Sequence, residues 1–206
     1  MNNYITDEAN APQDPLERKV RKDKEPEAVF YLGLAQRRDN NSIGVLSSFE
    51  NFLERYPSQP SLAFATMTYR IEAFILLNDI DSAIAEYESM HEIGASSDRI
   101  SIGSYYIYRY YNGLSSAANI LDQQSPILMQ EVKYLHDFNS NSRAPRWQNL
   151  IGEADLLSRT GNHIGASKMY ELVLNEHASA NDFTDAFRFK AEIGYVDAML
   201  AQGQIG

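Results

Sequence analysis

The strongest constraint in this sequence is a short turn signal that recurs between segments with helical spacing of apolar residues. Each signal is a residue pair that accepts a left-handed backbone, and each follows about three to four helical turns. The pairs are Asn40-Asn41, Asn78-Asp79, Asn112-Gly113 and Gly161-Asn162, with Gly203 near the end. No convincing run of strict alternation interrupts the helical spacing, so the pattern predicts an all-α chain of paired helices.

The positions around these turns also repeat. A small or β-branched residue stands five residues after the first member of each pair, and a large apolar residue stands four residues further on. The small set is Val45, Ala83, Ala117 and Ala166; the large set is Phe49, Tyr87, Leu121 and Tyr170; and twelve residues before the small set lie Gly33, Ile71, Tyr105 and Ala154. A small residue lets two antiparallel helices cross closely, and the large one fills the groove beside the crossing. We therefore predict four helical hairpins, which stack because a single hairpin leaves apolar surface on both sides.

The last of these units spans 34 residues, from Trp147 to Ala180. Its repeat positions hold Leu150, Ala154, Leu157, Gly161, Ala166, Tyr170 and Val173. With these residues it resembles a tetratricopeptide repeat (TPR). Residues 26–59 and 64–97 are similar, and residues 98–125 are a weaker copy. The resemblance implies a right-handed α-α superhelix, a TPR-like helical-hairpin solenoid, in which the first helix of each hairpin lines the inner face.

The spacing is irregular, which sets the expected domain organisation. Successive small residues are 38, 34 and 49 residues apart, so the last gap holds 15 extra residues. We predict one inserted helix over residues 126–138 and a final helix over residues 181–203. Residues 1–25 contain Pro12, Pro15 and a dense run of charges, which predicts a disordered charged tail. The solenoid is then expected over residues 26–206, with Pro26 opening its first helix.

Composition excludes several function classes. The 18 Lys and Arg against 28 Asp and Glu give a net charge of −10, which argues against sequence-independent binding of nucleic acid or anionic lipid. The absence of cysteine excludes a thiolate nucleophile, a cysteine-zinc site and a disulfide framework. No run approaches the ~18 apolar residues of a membrane span, and the given N-terminus lacks the apolar core of a secretory signal. We expect a soluble chain without direct membrane insertion, in the cytoplasm or the periplasm.

The sequence offers little that could carry out catalysis. The four histidines form no pair at i, i+4, and no phosphate-binding loop, dinucleotide fingerprint or nucleophile elbow is present. The carboxylate pairs Asp79/Asp81 and Glu86/Glu88 fall on predicted turns and exposed helix faces. We interpret them as a solvated surface, with Asp79 capping a helix N-terminus. We therefore expect no catalytic residue, no metal site, no cofactor and no enzymatic activity.

Tyrosine and arginine are the better lead, because these residue types often dominate binding energy. Five tyrosines crowd the segment from Tyr105 to Tyr111, and one face of a helix cannot bury them all. By the TPR resemblance, the candidate partner-binding residues on the inner face are Arg37, Arg38, Glu72, Tyr106, Arg109, Tyr110, Asp155 and Arg159. Of these, Tyr106, Arg109 and Tyr110 form the candidate hot spot. The alternative that the tyrosines pack between hairpins or under the inserted helix stays equally open.

Two further expectations concern aromatic positions. Trp147 lies at the mouth of a hairpin, which favours packing over a binding role. One variant of the resembled family holds a peptide's terminal carboxylate with paired Lys and Asn residues. This sequence has Phe30, Leu34 and Tyr69 at those positions, so that ligand is not expected.

The leading functional hypothesis is a non-enzymatic scaffold that binds a partner protein or peptide on its concave face. The second is a periplasmic segment of a larger bacterial envelope or polymer-export protein. The third is a self-assembling module, in which hairpin faces at the two ends stack on another copy to give a homo-oligomer.

Overall fold

The computed structural model describes residues 15–118, 125–143, 146–177, 179 and 183–204. All regular secondary structure in these residues is helical, which confirms the prediction of an all-α protein. The chain divides into two compact units, Met1–Ala95 and Ser96–Gly206. The right-handed superhelix implied by the resemblance stays a prediction.

The first unit contains two helical hairpins. Its helices are α1 (Pro15–Arg38), α2 (Ser42–Arg55), α3 (Pro60–Leu76) and α4 (Ile80–Glu92). Consecutive helices pack against each other, and the two first helices of the hairpins, α1 and α3, also touch. The core of this unit consists of buried Val29, Phe30, Val45, Phe49, Phe52, Ala65 and Ala73.

The second unit contains five helices that pack in chain order. They are α5 (Ser97–Ala117), α6 (Pro126–Asn141), α7 (Trp147–Arg159), α8 (His163–Glu176) and α9 (Asp185–Ala201). The largest core cluster joins α7, α8 and α9. Trp147 belongs to it, with its ring centroid 5.2 Å from that of Phe183 and 4.5 Å from that of Phe187, which confirms the packing prediction.

Four of the predicted turns have the expected left-handed residue. Asn40, Asn78, Gly161 and Gly203 have φ angles of 55°, 59°, 78° and 69°. In the first three turns, the next residue caps the following helix. The side chains of Asn41, Asp79 and Asn162 accept hydrogen bonds from the backbone N–H groups of Gly44, Ser82 and Gly165. One residue of each pair therefore ends a helix and the other starts the next one. Gly94, with φ 75°, ends α4 in the same way and was not predicted.

In three of the four predicted hairpins, the small residue and the large residue of the repeat are both buried. Val45, Ala83 and Ala166 are buried, and so are Phe49, Tyr87 and Tyr170 one turn later. The crossing of α1 and α2 is especially close, because a Cβ atom on Gly33 would lie 2.2 Å from Cε1 of Phe49.

The predicted turn at Asn112-Gly113 is wrong. Helix α5 continues through both residues to Ala117, and its hairpin partner is α6. The third unit was expected over residues 98–125, and the helix expected as an insertion is this hairpin's second helix. Ala117 is exposed, and Leu121 lies outside the described residues. A glycine inside a helix costs only about 1 kcal/mol, which the aromatic contacts between α5 and α6 outweigh.

The expected start of the first helix at Pro26 is also wrong. Helix α1 begins at Pro15, so residues 15–25 are helical, whereas residues 1–14 of the predicted tail lie outside the described residues. Pro26 lies inside this helix, where a proline costs about 3 kcal/mol, and the strong helix formers of the segment help to offset that cost. Its end is held by an ion pair between Glu25 and Arg55 of α2.

Candidate binding surfaces and a buried polar network

Two of the predicted partner-binding residues bind each other in the first unit. Nη2 of Arg37 donates to Oε1 of Glu72 at 2.9 Å, and Nε of Arg37 donates to the other carboxylate oxygen. The guanidinium also lies over the ring of Tyr69, 5.0 Å from its centroid. The pair links α1 to α3, and both Arg37 and its neighbour Arg38 are exposed.

The depression next to this ion pair is small. Its inner cavity is about 10 Å³, which is enough for about one water molecule, and it opens to solvent. Apolar atoms from Val45, Ala73 and Leu76 form part of its wall. Beside this depression, the Arg37–Glu72 pair joins the two hairpins through α1 and α3.

The tyrosines of α5 divide between two sides of the helix. The ring of Tyr105 lies 5.0 Å from that of Phe138, and the ring of Tyr111 stacks on Tyr134 at 6.1 Å. Tyr108 packs on the small core cluster of α6 and α7, and burial raises the pKa of its phenol. These three tyrosines therefore pack toward α6, as the packing alternative predicted.

A second side of α5, roughly opposite α6, carries the candidate hot spot. Tyr106 and Tyr110 are half-buried and one helical turn apart, and Arg109 between them is exposed. The guanidinium of Arg109 lies 6.0 Å from the ring centroid of Tyr105. Ile102, one turn before Tyr106, is 38% exposed. We call these four residues, Ile102, Tyr106, Arg109 and Tyr110, the tyrosine–arginine surface.

Asp155 is held inside the second unit. Its carboxylate accepts a hydrogen bond from the phenol of Tyr170 in α8 and another from Nζ of Lys190 in α9, at 2.7 Å. Burial and the hydrogen bond to Asp155 raise the pKa of Tyr170 above its ordinary value. Asp155 thus ties three helices together, while Arg159 is exposed at the end of α7.

The sequence reasoning missed two buried glutamates in the second unit. Glu131 is fully buried and accepts hydrogen bonds from Nδ2 of Asn112, at 2.8 Å, and from Oγ of Ser115, at 2.6 Å. Asn112, expected in a turn, is therefore a partner for a buried carboxylate. The sequence did contain a signal that Glu131 is buried. Its spacing from Leu128 and Leu135 places it on the same apolar face of the helix.

The second buried glutamate, Glu153, joins a chain of polar groups. It accepts a hydrogen bond from Nδ2 of Asn139 at 2.6 Å, and its Oε1 lies 2.7 Å from Nδ1 of His136. Nε2 of the same imidazole lies 3.3 Å from Oγ of Ser140. The order serine, histidine, carboxylate matches the connectivity of a hydrolytic triad.

Acyl transfer has a second requirement, an oxyanion site, and the described backbone around Ser140 is helical. An oxyanion needs backbone or side-chain N–H donors aimed at the reacting oxygen. Ser140 and Asn141 lie inside the last turn of α6, where backbone N–H groups donate to the preceding turn. The N–H of Ser142 also donates within this segment, to the carbonyl of Phe138 at 3.1 Å. The hydrogen bonds from Asn139 and the contact with His136 satisfy the buried carboxylate of Glu153 between α6 and α7.

Glu86 is another carboxylate that the sequence reasoning misplaced. It was expected on an exposed face, but its side chain is 12% exposed and lies 3.0 Å from Nε of Arg70. Burial raises the pKa of Glu86 above 4.5, and the nearby Arg70 opposes this shift without cancelling it. By contrast, Asp79 caps α4 as predicted.

Comparisons with known proteins identify no relative of this chain. No family model matches the chain, and no curated protein or solved structure is significantly similar to it. Within the described ranges, no three His, Asp or Glu side chains are grouped so that they could hold a metal ion. None of the helices in the same ranges combines the length and apolar character that crossing a bilayer requires.

Proposed function

We propose that this protein is a non-enzymatic scaffold that binds a partner protein or peptide through the tyrosine–arginine surface of α5. The observation that carries the proposal is the division of the α5 tyrosines. Tyr105, Tyr108 and Tyr111 pack on the partner helix, whereas Tyr106 and Tyr110 flank an exposed arginine on another side.

This surface has the composition of a binding hot spot. Tyrosine and arginine offer large rigid contact areas with polar tips, so they lose little conformational entropy when a partner binds. Arg109 is partly positioned by the ring of Tyr105. The fitting partner is a segment with an apolar side chain that packs on Ile102 and the tyrosine rings, next to a carboxylate that pairs with Arg109.

The position of the serine–histidine–glutamate chain supports a non-enzymatic role. Its serine lies within a helix, so the adjacent backbone N–H groups are engaged in helical hydrogen bonds. The Arg37–Glu72 and Asp155–Lys190 pairs support a structural use of other predicted contact residues. Localisation in the periplasm and membership of the TPR family stay predictions.

The test is affinity capture with native extract, followed by calorimetry with the purified partner. We expect Arg109→Ala and Tyr106→Ala each to weaken binding by about 30-fold, which is the scale of a hot-spot residue. Lys168→Ala is the matched control, since it removes an exposed cation from α8. It should leave the affinity unchanged.

Circular dichroism and thermal melting must accompany these measurements. If Tyr106→Ala and Arg109→Ala both melt the protein, the surface assignment is wrong. If both fold and bind the partner as the parent does, the binding site lies elsewhere.

A further inference from the structure

Helix α9 is apolar on two opposite sides. One side packs on α8 through buried Ala191 and Ala198, and through Gly194, where an added Cβ would meet the ring of Tyr170 at 2.3 Å. The other side carries four exposed large apolar residues. Their exposed fractions are 64% for Phe189, 44% for Ile193, 43% for Val196 and 50% for Leu200. We call these four residues the α9 stripe.

The α9 stripe has the spacing of a helix-pairing seam. Its residues are separated by 4, 3 and 4 positions, which places them within about 60° on the helix surface. Single exposed apolar residues are ordinary on a protein surface, but an aligned row on a helix whose other side is already buried is not. Such a row fits another helix with the same spacing.

We infer that the α9 stripe binds the α9 stripe of a second copy of this chain, with the two helices antiparallel about a two-fold axis. In this arrangement Phe189 packs opposite Leu200 of the second copy, and Ile193 packs opposite Val196 of the second copy. The two-fold axis repeats both contacts, so every residue of the seam has an apolar partner.

The charges beside the stripe select a second copy and this orientation. Lys190 and Asp197 flank the same edge of the seam. In the antiparallel pair, Lys190 faces Asp197 of the second copy, and symmetry provides the pair twice. A parallel pair would place Asp185 opposite Lys190 but also Glu192 opposite Asp197, so its attractive and repulsive contacts would offset each other.

Lys190 can serve both its own chain and the second copy. Its ammonium group lies 2.7 Å from Asp155, and its side chain remains 54% exposed. An ammonium group has three donors, so a bridge between two carboxylates is compatible with its chemistry.

The size of the seam sets the strength of the association. A stable interface buries about 800 Å² on each partner, and four partly exposed side chains supply only part of that area. The dimer is therefore weak, and its population depends on protein concentration. It uses residues other than the tyrosine–arginine surface, so either proposal can fail alone.

The experiment is sedimentation equilibrium of the full chain at roughly 10 µM to 1 mM, the range in which a weak dimer forms. The mass should rise from 23.3 kDa toward twice that value and no further. Val196→Glu should weaken association about tenfold or more, because it places two carboxylates in the seam. Asp197→Lys should weaken it less, by facing Lys190 with a second lysine.

Glu192→Lys is the matched control for orientation. It changes an exposed charge on α9 that faces Met199 of the second copy in the antiparallel pair, so the affinity should not change. Far-UV circular dichroism and thermal melting check that each variant is folded. A chain that stays monomeric, a mass that grows beyond two copies, or association insensitive to both Val196→Glu and Asp197→Lys would overturn the inference. So would a dimer that Glu192→Lys strengthens, because that result indicates a parallel pair.

Discussion

Gly33 of α1 lies directly against the ring of Phe49 of α2, close enough that no Cβ atom fits between them. The ring cannot move aside easily, because it is fully buried and also stacks on Tyr69 at 6.0 Å. The close approach of α1 and α2 at this crossing therefore requires glycine at position 33.

Gly33→Ala should therefore destabilise the protein, although alanine is the better helix former. We expect the free energy of unfolding to fall by about 1–3 kcal/mol, the usual cost of forcing an extra carbon into a packed core. Urea unfolding followed by circular dichroism measures this change. A variant as stable as the parent would mean that α1 and α2 are less closely packed.

Gly113→Ala should have the opposite effect. Gly113 lies within α5, and an added Cβ would meet no atom within 4 Å. The change should raise the free energy of unfolding by about 0.5–1 kcal/mol, because alanine loses less backbone entropy in a helix. If Gly113 were in a left-handed turn, as the sequence pattern suggested, the same substitution would destabilise the protein. The sign of the effect decides between the two structures.

Tyr170→Phe should test the internal role of Asp155. The variant keeps the ring but removes the hydrogen bond to a partly buried carboxylate, so we expect a loss of about 1–3 kcal/mol in the free energy of unfolding. Lys190→Met removes the more exposed partner of the same carboxylate and should cost less than about 1 kcal/mol. Equal effects of the two changes, in dilute solution, would contradict the assignment of Tyr170 as the main partner.

Glu86 should make the stability of the first unit depend on pH. Because burial raises its pKa above 4.5 in the folded state, folding favours the protonated carboxyl. Its contribution to stability is fully present below the unfolded pKa and is lost as the pH rises through the folded pKa. Relative to Glu86→Gln, the parent protein should therefore lose stability as the pH is raised from about 4 to 7.

The measurement for Glu86 is the difference in urea midpoint between the parent and Glu86→Gln at each pH. A difference that grows in favour of the parent as pH rises would show that the ion pair with Arg70 outweighs the cost of burying the carboxylate.

The candidate contact residues were only partly readable from the chain. The tyrosine-rich segment indicated that one face of the helix could not bury all five rings, but the spacing did not say which tyrosines face α6. Arg37, Glu72 and Asp155 looked like exposed polar residues on an inner face. Their actual partners lie about 15 to 35 positions away, and no local pattern reports such pairs.

The sequence by itself determined that the chain is helical and where several of its helices end and begin. A left-handed residue followed by a capping side chain acts over fewer than six residues, so Asn40-Asn41, Asn78-Asp79 and Gly161-Asn162 could be recognised without the fold. Tertiary structure decided that Asn112-Gly113 lies within a helix and not in a turn. Glu131 and the aromatic residues of α6 contact α5 along its length, and these contacts override the local turn signal. Tertiary structure also decided which charges are buried, since the cost of burying a carboxylate depends on donors that other helices bring to it.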